Sequence, residues 1–270
     1  MTDVVLLGNQ IGKLRVGDKL INRLGLGTNR ITDTDEARSL LKKAVELGVN
    51  FIDTAHTYRD GASETTIGKT LAPYPENLVI ATKGGMQGAS PEQLRADLED
   101  SLQRLKTSCI DLYQLHRVDP SVPLETTIST MKQFKDEGKI RYIGLSEVTV
   151  AQIEQAQRIV PIVSVQNEYN LVKRQYEAVL DYCTEQGIVF IPWFPLGGLR
   201  GDTAQVNALT EKLAQKYNAI PQQIALSWLL ARSPMMLPIP GTLSIEHLQS
   251  NLEAASIELS EEDYQSLYQA

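Results

Sequence analysis

The sequence predicts an α/β fold in which eight parallel strands alternate with helices, a (β/α)8 barrel of the TIM type. Short runs rich in β-branched residues alternate with amphipathic stretches of helical length, which indicates parallel βαβ units with right-handed crossovers. Eight such units of roughly 30 residues each match the usual barrel size of about 250 residues. A doubly wound open sheet is the alternative, and it is less favoured because no predicted strand opens on the Gly-x-Gly-x-x-Gly fingerprint of a dinucleotide-binding fold.

Each element is predicted from a local pattern, beginning with a hairpin region before the first barrel strand. Residues 4–7, 13–16 and 19–21 are short β-type runs separated by glycine-containing turns. We expect this hairpin region to cap the N-terminal mouth of the barrel. The eight barrel strands are apolar runs expected at residues 24–28, 51–54, 79–83, 110–116, 140–146, 162–167, 189–193 and 236–240.

The predicted helices lie between these strands, and several carry start or stop signals. Ser90 and Pro91 are typical of an N-cap and a first helical position, whereas Gly138 and Gly187 are typical of helix ends. Two extra helices are expected between the last two strands, and another near the C-terminus, where Ser260 is a candidate N-cap. The expected ranges are 35–47, 91–105, 124–137, 176–186, 204–217, 222–231 and 260–268.

The composition is that of one globular domain covering residues 1–270, with 42% hydrophobic and 22% charged residues and no linker. The net charge of −7 argues against nucleic-acid binding, which needs a basic surface. An acidic N-terminus and the lack of a long apolar run argue against a signal peptide and a membrane partner. Cys109 and Cys183 lack the spacing of a metal or redox motif. We therefore expect a cytoplasmic protein without a metal site, whose oligomeric state the sequence leaves open.

Polar side chains stand at the carboxyl ends of three successive predicted strands, the end at which barrel enzymes carry their active sites. Asp53 ends the second strand and Tyr58 follows in the next loop, while Lys83 and His116 end the third and fourth strands. Each residue alone has an ordinary explanation, such as a helix cap, a packed ring or a solvated lysine. Their coincidence at neighbouring strand ends predicts a proton-donating site that acts on a carbonyl group.

The chemistry of carbonyl reduction accounts for this combination, because a carbonyl that accepts hydride becomes an alkoxide and needs a proton. Tyrosine, with a reference pKa near 10, is a weak acid at neutral pH. An ammonium about 4 Å away is worth about 4 kcal/mol at an effective dielectric near 20, so Lys83 can make Tyr58 a better general acid. Asp53 would keep the buried lysine charged, since burial alone favours loss of its proton. His116 can orient the carbonyl oxygen against Tyr58.

The motifs around these residues resemble those of the aldo-keto reductase superfamily over nearly the whole chain. Among its branches, the chain looks closest to bacterial members related to pyridoxal reductases. The resemblance implies a catalytic tetrad of Asp53, Tyr58, Lys83 and His116, an NADP(H) cofactor and a small-molecule carbonyl substrate. The matching segments are GVNFIDTA at 48–55, TK at 82–83, LH at 115–116, IGLS at 143–146, QNEYN at 166–170 and IPGT at 239–242.

The same resemblance implies contacts to the nicotinamide. Ser146 and Gln166 map to positions that hold the carboxamide, and Trp193 maps to the aromatic residue on which the ring stacks. Glu147 stands where an asparagine is usual in the family. A carboxylate can accept from the carboxamide NH2 but cannot donate to its oxygen. Glu147 therefore cannot make both hydrogen bonds that an asparagine could make to the carboxamide.

The phosphates and the adenine are expected further along the same site. The loop at Leu196 and Gly197 would hold the pyrophosphate, since barrels often bind phosphate after strands seven and eight. Thr242 and His247 would face the 2′-phosphate, and Asn251 the adenine. The expected cofactor set, completed by two further residues, is Thr28, Ser146, Gln166, Trp193, Leu196, Gly197, Gly241, Thr242, His247 and Asn251.

The leading prediction is an NADPH-dependent reductase of aldehydes or ketones in which Tyr58 donates the proton. Short segments after His116 and Trp193 predict an open pocket for small or planar aldehydes such as pyridoxal. Arg117 is expected at the solvated surface, and contact with an anionic group of the substrate is the less favoured alternative. Two alternatives stay open. One is a cofactor-binding redox-sensing or regulatory subunit with slow turnover, and the other is a Schiff-base aldolase that uses Lys83 as nucleophile, a role that Asp53 opposes.

Overall fold

Seven parallel strands curl around a common axis in the computed structural model, which describes residues 12–198 and 202–270. They pair in the order in which they occur along the chain, as consecutive βαβ units require. An antiparallel hairpin, β1 (Lys13–Val16) with β2 (Lys19–Asn22), precedes them. The seven strands are β3 (Leu26–Gly27), β4 (Phe51–Asp53), β5 (Val79–Gly84), β6 (Ile110–Leu115), β7 (Ile140–Ser146), β8 (Ile162–Gln166) and β9 (Val189–Phe190).

The eighth predicted strand, residues 236–240, is an extended segment that pairs only at isolated points. Parallel bridges join Phe190 to Met236 on one side and Gly27 to Gly241 on the other. The segment therefore closes the sheet into a barrel, and the (β/α)8 prediction is confirmed. Its pairing is sparse because two of its five residues are prolines, which have no N–H to donate to a neighbouring strand.

Ten α-helices are assigned within the described part of the chain, and the predicted ones are confirmed to within two residues at each end. Ser90 and Ser260 accept hydrogen bonds from backbone N–H groups as N-caps, and Gly187 ends its helix in a left-handed conformation. The helices are α1 (Asp35–Glu46), α2 (Ala62–Leu71), α3 (Pro91–Leu105), α4 (Leu124–Asp136), α5 (Val150–Gln157), α6 (Glu177–Gln186), α7 (Asp202–Lys216), α8 (Pro221–Arg232), α9 (Ile245–Glu253) and α10 (Glu261–Tyr268).

The hairpin closes the N-terminal mouth of the barrel, as predicted. Leu14, Val16 and Ile21 are buried against apolar residues of the barrel interior, among them Phe51 and Val79 at the starts of β4 and β5. The predicted run at residues 4–7 lies outside the described residues. With one mouth filled by apolar side chains, the opposite mouth is left for the polar residues at the strand ends.

The helices pack around the barrel through a second, larger apolar cluster between them and the outer faces of the strands. No helix in the described ranges has the length and hydropathy needed to span a bilayer.

Candidate active site

The carboxyl ends of the strands surround a cavity of about 710 Å³. Asp53, Tyr58 and His116 line it, and Lys83 lies directly beneath them with only 1% of its surface exposed. Parallel pairing of β4, β5 and β6 brings these residues together, because their carboxyl ends meet at one rim. The four residues predicted as a proton-donating site thus form one cluster.

The ammonium of Lys83 is the centre of this cluster. Its Nζ lies 2.5 Å from Oδ1 of Asp53 and 3.3 Å from the hydroxyl of Tyr58, and it also donates to the carbonyl of Thr54 at 2.8 Å. Burial opposes the charged lysine, but the carboxylate of Asp53 and the hydrogen bonds around the ammonium raise the pKa of Lys83 above its usual value. Lys83 is therefore protonated at neutral pH, beside the phenol of Tyr58.

Two glutamine side chains hold the other oxygen of Asp53. Gln166 donates from Nε2 at 2.8 Å and Gln114 at 3.2 Å. Gln166 was predicted as a carboxamide contact, and with its NH2 group turned to Asp53 its oxygen remains the acceptor for that role. Gln114 was not predicted, although a glutamine inside the apolar strand at 110–115 indicates a buried polar contact.

His116 lies against Tyr58, with ring centroids 6.0 Å apart and the rings nearly perpendicular. Burial, followed by repulsion from Lys83 and Arg117, lowers the pKa of His116 to about 3. The imidazole is therefore neutral at physiological pH and has one N–H to donate. Since Nδ1 has no partner among the described residues, the ring is oriented by packing and by the strand end rather than by a hydrogen bond at that atom.

The residues expected around the nicotinamide line the cavity beside the tetrad. Ser146 ends β7, and its hydroxyl lies 3.2 Å from Nη1 of Arg117. Trp193 is half-buried on the cavity wall, and the guanidinium of Arg117 lies 5.9 Å from its ring centroid. Arg117 is thus a half-buried cavity residue and not the solvated surface arginine that the sequence favoured. Glu147 does not line the cavity, and its carboxylate accepts the indole N–H of Trp193 at 2.7 Å.

The predicted pyrophosphate loop forms another wall of the same cavity. Leu196, Gly197 and Gly198 line it together with Thr203 in the first turn of α7. Gly197 has φ +84°, and a Cβ atom there would lie 2.6 Å from the backbone nitrogen of Thr203. Only glycine fits this turn, which lets the backbone approach the helix closely.

On the opposite wall, Thr28 is buried and its hydroxyl donates to the carbonyl of Asp53 at 2.8 Å. Gly241 also lines the cavity, and its carbonyl accepts from Nη2 of Arg30 at 2.6 Å. Arg30 and Arg59 line the rim as exposed side chains. Neither arginine was predicted, since both lie in loops outside any motif.

Three of the predicted cofactor residues lie beyond the cavity lining. Thr242 is buried, and its hydroxyl accepts from the backbone N–H of Ser244 at 3.0 Å. His247 is exposed in the first turn of α9, and Asn251, one turn further along the helix, is almost buried. They follow Gly241 in the chain, and their roles stay predictions. Among the described residues, no group of His, Cys, Asp or Glu side chains is arranged to hold a metal ion.

Known proteins are similar to this chain over nearly its whole length. A model of the aldo/keto reductase family matches residues 23–270. An uncharacterised oxidoreductase of Schizosaccharomyces pombe is 43% identical over 277 residues, covering 96% of this chain and 90% of the relative. Pyridoxine 4-dehydrogenase of Escherichia coli is 35% identical over 271 residues, covering 92% of this chain and 94% of the relative.

Two solved structures superimpose closely on the chain. A thermostable aldo-keto reductase in complex with the inhibitor epalrestat gives a TM-score of 0.87 at 33% identity, covering 96% of this chain and 99% of that one. An aldo-keto reductase of Klebsiella pneumoniae in complex with NADPH gives a TM-score of 0.85 at 29% identity, covering 95% of this chain and 94% of that one.

Proposed function

The chain belongs to the aldo/keto reductase family, and on that premise we propose that it reduces small aldehydes or ketones with NADPH, using Tyr58 as the proton donor. It is an NADP(H)-dependent oxidoreductase that acts on carbonyl groups. The roles of individual residues and the substrate class are our proposals, argued from the geometry of the cavity.

The observation that carries the proposal is the position of Lys83 between Asp53 and Tyr58. A buried ammonium 3.3 Å from a phenol oxygen stabilises the phenolate that remains after proton transfer. The ion pair with Asp53, at 2.5 Å, keeps that ammonium charged despite its burial. Tyr58 therefore acts as the general acid, and its conjugate base stays paired with Lys83 after the proton has left.

His116 supplies the second contact to the substrate oxygen. Because the imidazole is neutral, it donates an N–H to the carbonyl oxygen without competing with Tyr58 as an acid. The edge-on packing of the two rings leaves the phenol hydroxyl and the imidazole facing the same cavity. The two donors orient the carbonyl oxygen so that its carbon is presented to the nicotinamide.

The residues present fit NADP(H). The cavity is long enough to run from the tetrad to the glycine turn at Gly197, which only glycine can occupy. Gln166 and Ser146 offer polar atoms for a carboxamide, and Trp193 offers an aromatic face. When bound, NADPH supplies a hydride to the carbonyl carbon.

We further propose pyridoxal or another small planar aldehyde as the substrate. The family relative from Escherichia coli is named pyridoxine 4-dehydrogenase, and the likeness to it extends over 92% of this chain. The cavity supports a planar ring, because Trp193, Phe194 and Leu196 provide apolar surface beside the tetrad. Sugars need many hydrogen-bonding partners, which this wall does not supply.

The test is NADPH consumption, followed by its absorbance, with pyridoxal, methylglyoxal, nitrobenzaldehyde and xylose as substrates. We expect kcat/KM for pyridoxal to exceed that for xylose. A preference for xylose would overturn the substrate class but not the reductase. Tight NADPH binding without turnover of any carbonyl compound would overturn the reductase itself.

The two other functions predicted as alternatives are less well supported. A Schiff-base aldolase needs a neutral lysine as nucleophile, whereas the carboxylate of Asp53 holds Lys83 protonated. The regulatory subunit gains no support from the two relatives named above, one of which is called an oxidoreductase and the other a dehydrogenase.

A further inference from the structure

Glu147 occupies a backbone conformation that a glutamate rarely adopts. Its φ is +54°, in the left-handed region, where glycine and asparagine are much better accommodated. A residue of this type stays there only when its surroundings hold it. The contacts of the glutamate side chain therefore have to offset this strain.

Those contacts are three hydrogen bonds to one carboxylate. Oε1 accepts from Nε1 of Trp193 at 2.7 Å and from the backbone N–H of Glu168 at 2.8 Å. Oε2 accepts from the hydroxyl of Tyr176 at 2.9 Å. Trp193 and Glu168 also form a parallel backbone bridge, so the carboxylate ties the indole to the sheet edge beside it.

We propose that Glu147 is a positioning residue, which fixes the indole of Trp193 in the orientation on which the nicotinamide ring stacks. The proposal rests on the proposed function, since it takes Trp193 to be part of the cofactor site. Glu147 itself does not line the cavity and acts only through Trp193.

We call the hydrogen bond from Nε1 of Trp193 to the carboxylate of Glu147 the clamp. The surroundings of Trp193 explain why it is needed. The indole is half-buried and packs edge-on against Phe194, with ring centroids 4.8 Å apart. Packing at one edge restrains the position of a flat ring more than its rotation, whereas a hydrogen bond at Nε1 fixes the rotation. A ring held in place before the cofactor arrives loses less conformational freedom on binding, and tighter binding follows.

The clamp requires an acceptor, and a carboxylate is the strongest one available. The groups at Oε1 are both N–H donors, and neither can accept in return. A glutamine at position 147 could keep its oxygen towards these two donors and turn its NH2 to the hydroxyl of Tyr176, which can accept. Glu147→Gln is therefore the conservative variant that preserves the clamp, and Glu147→Ala removes it.

The experiment is a double-mutant cycle on NADPH binding, read by titration of cofactor into Glu147→Ala, Trp193→Phe and the double variant. Phenylalanine keeps a ring for stacking but has no N–H for the clamp. We expect Glu147→Ala to raise the Kd of NADPH roughly 3- to 10-fold in the wild-type background. In the Trp193→Phe background the same substitution is expected to change the Kd less than about 2-fold.

Equal losses in both backgrounds would overturn the proposal, because Glu147 would then act without Trp193. Tyr176→Phe is the matched control, since it removes a bond to Glu147 and leaves the indole bond in place. Glu147→Gln is expected to restore binding. If Glu147→Ala does not fold, the same double-mutant cycle is measured with Glu147→Gly, because glycine is well accommodated in the left-handed backbone conformation.

A second measurement reports the bond without any cofactor. The chain has two tryptophans, and the other one, Trp228, has no partner for its indole nitrogen in the described part of the structure. In ¹⁵N-labelled protein we expect the indole signal of Trp193, assigned with Trp193→Phe, to shift in Glu147→Ala and to stay in Tyr176→Phe. An unchanged signal in Glu147→Ala would overturn the clamp. If the indole signal responds but the wild type does not bind NADPH, the proposed function fails and the bond stands.

Discussion

The side-chain amide of Gln166 donates to Oδ2 of Asp53 at 2.8 Å, while Oδ1 of the same carboxylate lies 2.5 Å from Nζ of Lys83. One carboxylate therefore holds both the lysine beneath Tyr58 and the amide that is expected to meet the nicotinamide. All three side chains are almost completely buried, so water screens these interactions little. Asp53 therefore links the proposed proton donor to the proposed cofactor contact at Gln166.

This link makes Asp53→Asn a sharp test of the role of Lys83. Without the carboxylate, burial lowers the pKa of Lys83 and is no longer opposed by an ion pair. The lysine is charged below its pKa, so activity that depends on the charge is lost as the pH rises through that value. We expect a lower kcat and a basic limb of the pH–rate profile that begins at a lower pH than in the wild type.

Asp111→Asn is the matched control for that experiment, because Asp111 lies at the start of β6, at the opposite end of the barrel. Its variant should keep the wild-type pH profile. An Asp53→Asn profile that is lower in rate but unshifted in pH would show that Asp53 does not act through the charge of Lys83.

Tyr58→Phe should abolish most carbonyl reduction and leave NADPH binding nearly unchanged. The substitution deletes the proton donor while the ring still packs against His116. Loss of a general acid typically costs roughly 10²- to 10⁴-fold in rate, and we expect kcat to fall within that range. Steady-state kinetics measure the loss of kcat, and titration with NADPH measures whether cofactor binding is unchanged. Near-normal turnover of Tyr58→Phe would show that Tyr58 is not the proton donor. Tyr74→Phe removes a phenol hydroxyl at the other end of the barrel, before β5, and serves as the control.

The tetrad could be predicted from the sequence because a parallel barrel turns order along the chain into position on one rim. Asp53 is the last residue of β4, Lys83 is one residue before the end of β5, and His116 directly follows β6. Their contact could therefore be predicted from the fold class and the strand boundaries alone. The helix ends were also predictable, since the caps at Ser90 and Ser260 depend on residues only three positions away.

Contacts between distant parts of the chain could not be predicted in this way. The carboxylate of Glu147 meets Trp193, 46 residues later, and only the three-dimensional register of β7, β8 and β9 brings them together. Arg30 reaches Gly241 across the closure of the barrel, 211 residues away. Arg117 was wrongly expected at the solvated surface because the sequence does not reveal the cation–aromatic contact that holds it on the cavity wall.

The buried neutral state of His116 predicts a stability that falls in acid. Burial lowers the pKa of His116 to about 3, below its usual value of 6.5. The stabilising contribution is therefore fully present above 6.5 and is lost progressively as the pH falls towards the folded-state pKa, because the unfolded chain takes up the proton. Between about pH 6.5 and pH 5 this amounts to about 2 kcal/mol.

His116→Gln removes that titration and keeps an N–H donor. Urea unfolding at neutral and at mildly acidic pH should show a smaller loss of stability on acidification in the variant than in the wild type. The same loss in both proteins would mean that His116 is accessible to protons in the folded state.

The preference for NADPH over NADH depends on the residues that meet the 2′-phosphate. The 2′-phosphate is expected near Thr242 and His247, in a loop and helix that continue from the cavity past Gly241. A histidine attracts a phosphate most strongly when it is protonated, whereas an arginine stays charged at every accessible pH. The N-terminus of α9 adds a smaller and pH-independent attraction for an anion. We therefore expect NADPH to bind more tightly than NADH, by a ratio that decreases as the pH rises.

Two variants separate the sources of that preference. His247→Ala should abolish the pH dependence of the ratio between the dissociation constants of NADH and NADPH. A smaller preference for NADPH should remain. Arg30→Gln removes a charged side chain on the cavity rim beside Gly241, and any effect of it should be the same at every pH because arginine does not titrate. A ratio that is flat with pH in the wild type and survives the alanine would show that His247 does not contact the 2′-phosphate. Tighter binding of NADH than of NADPH throughout would contradict the cofactor assignment itself.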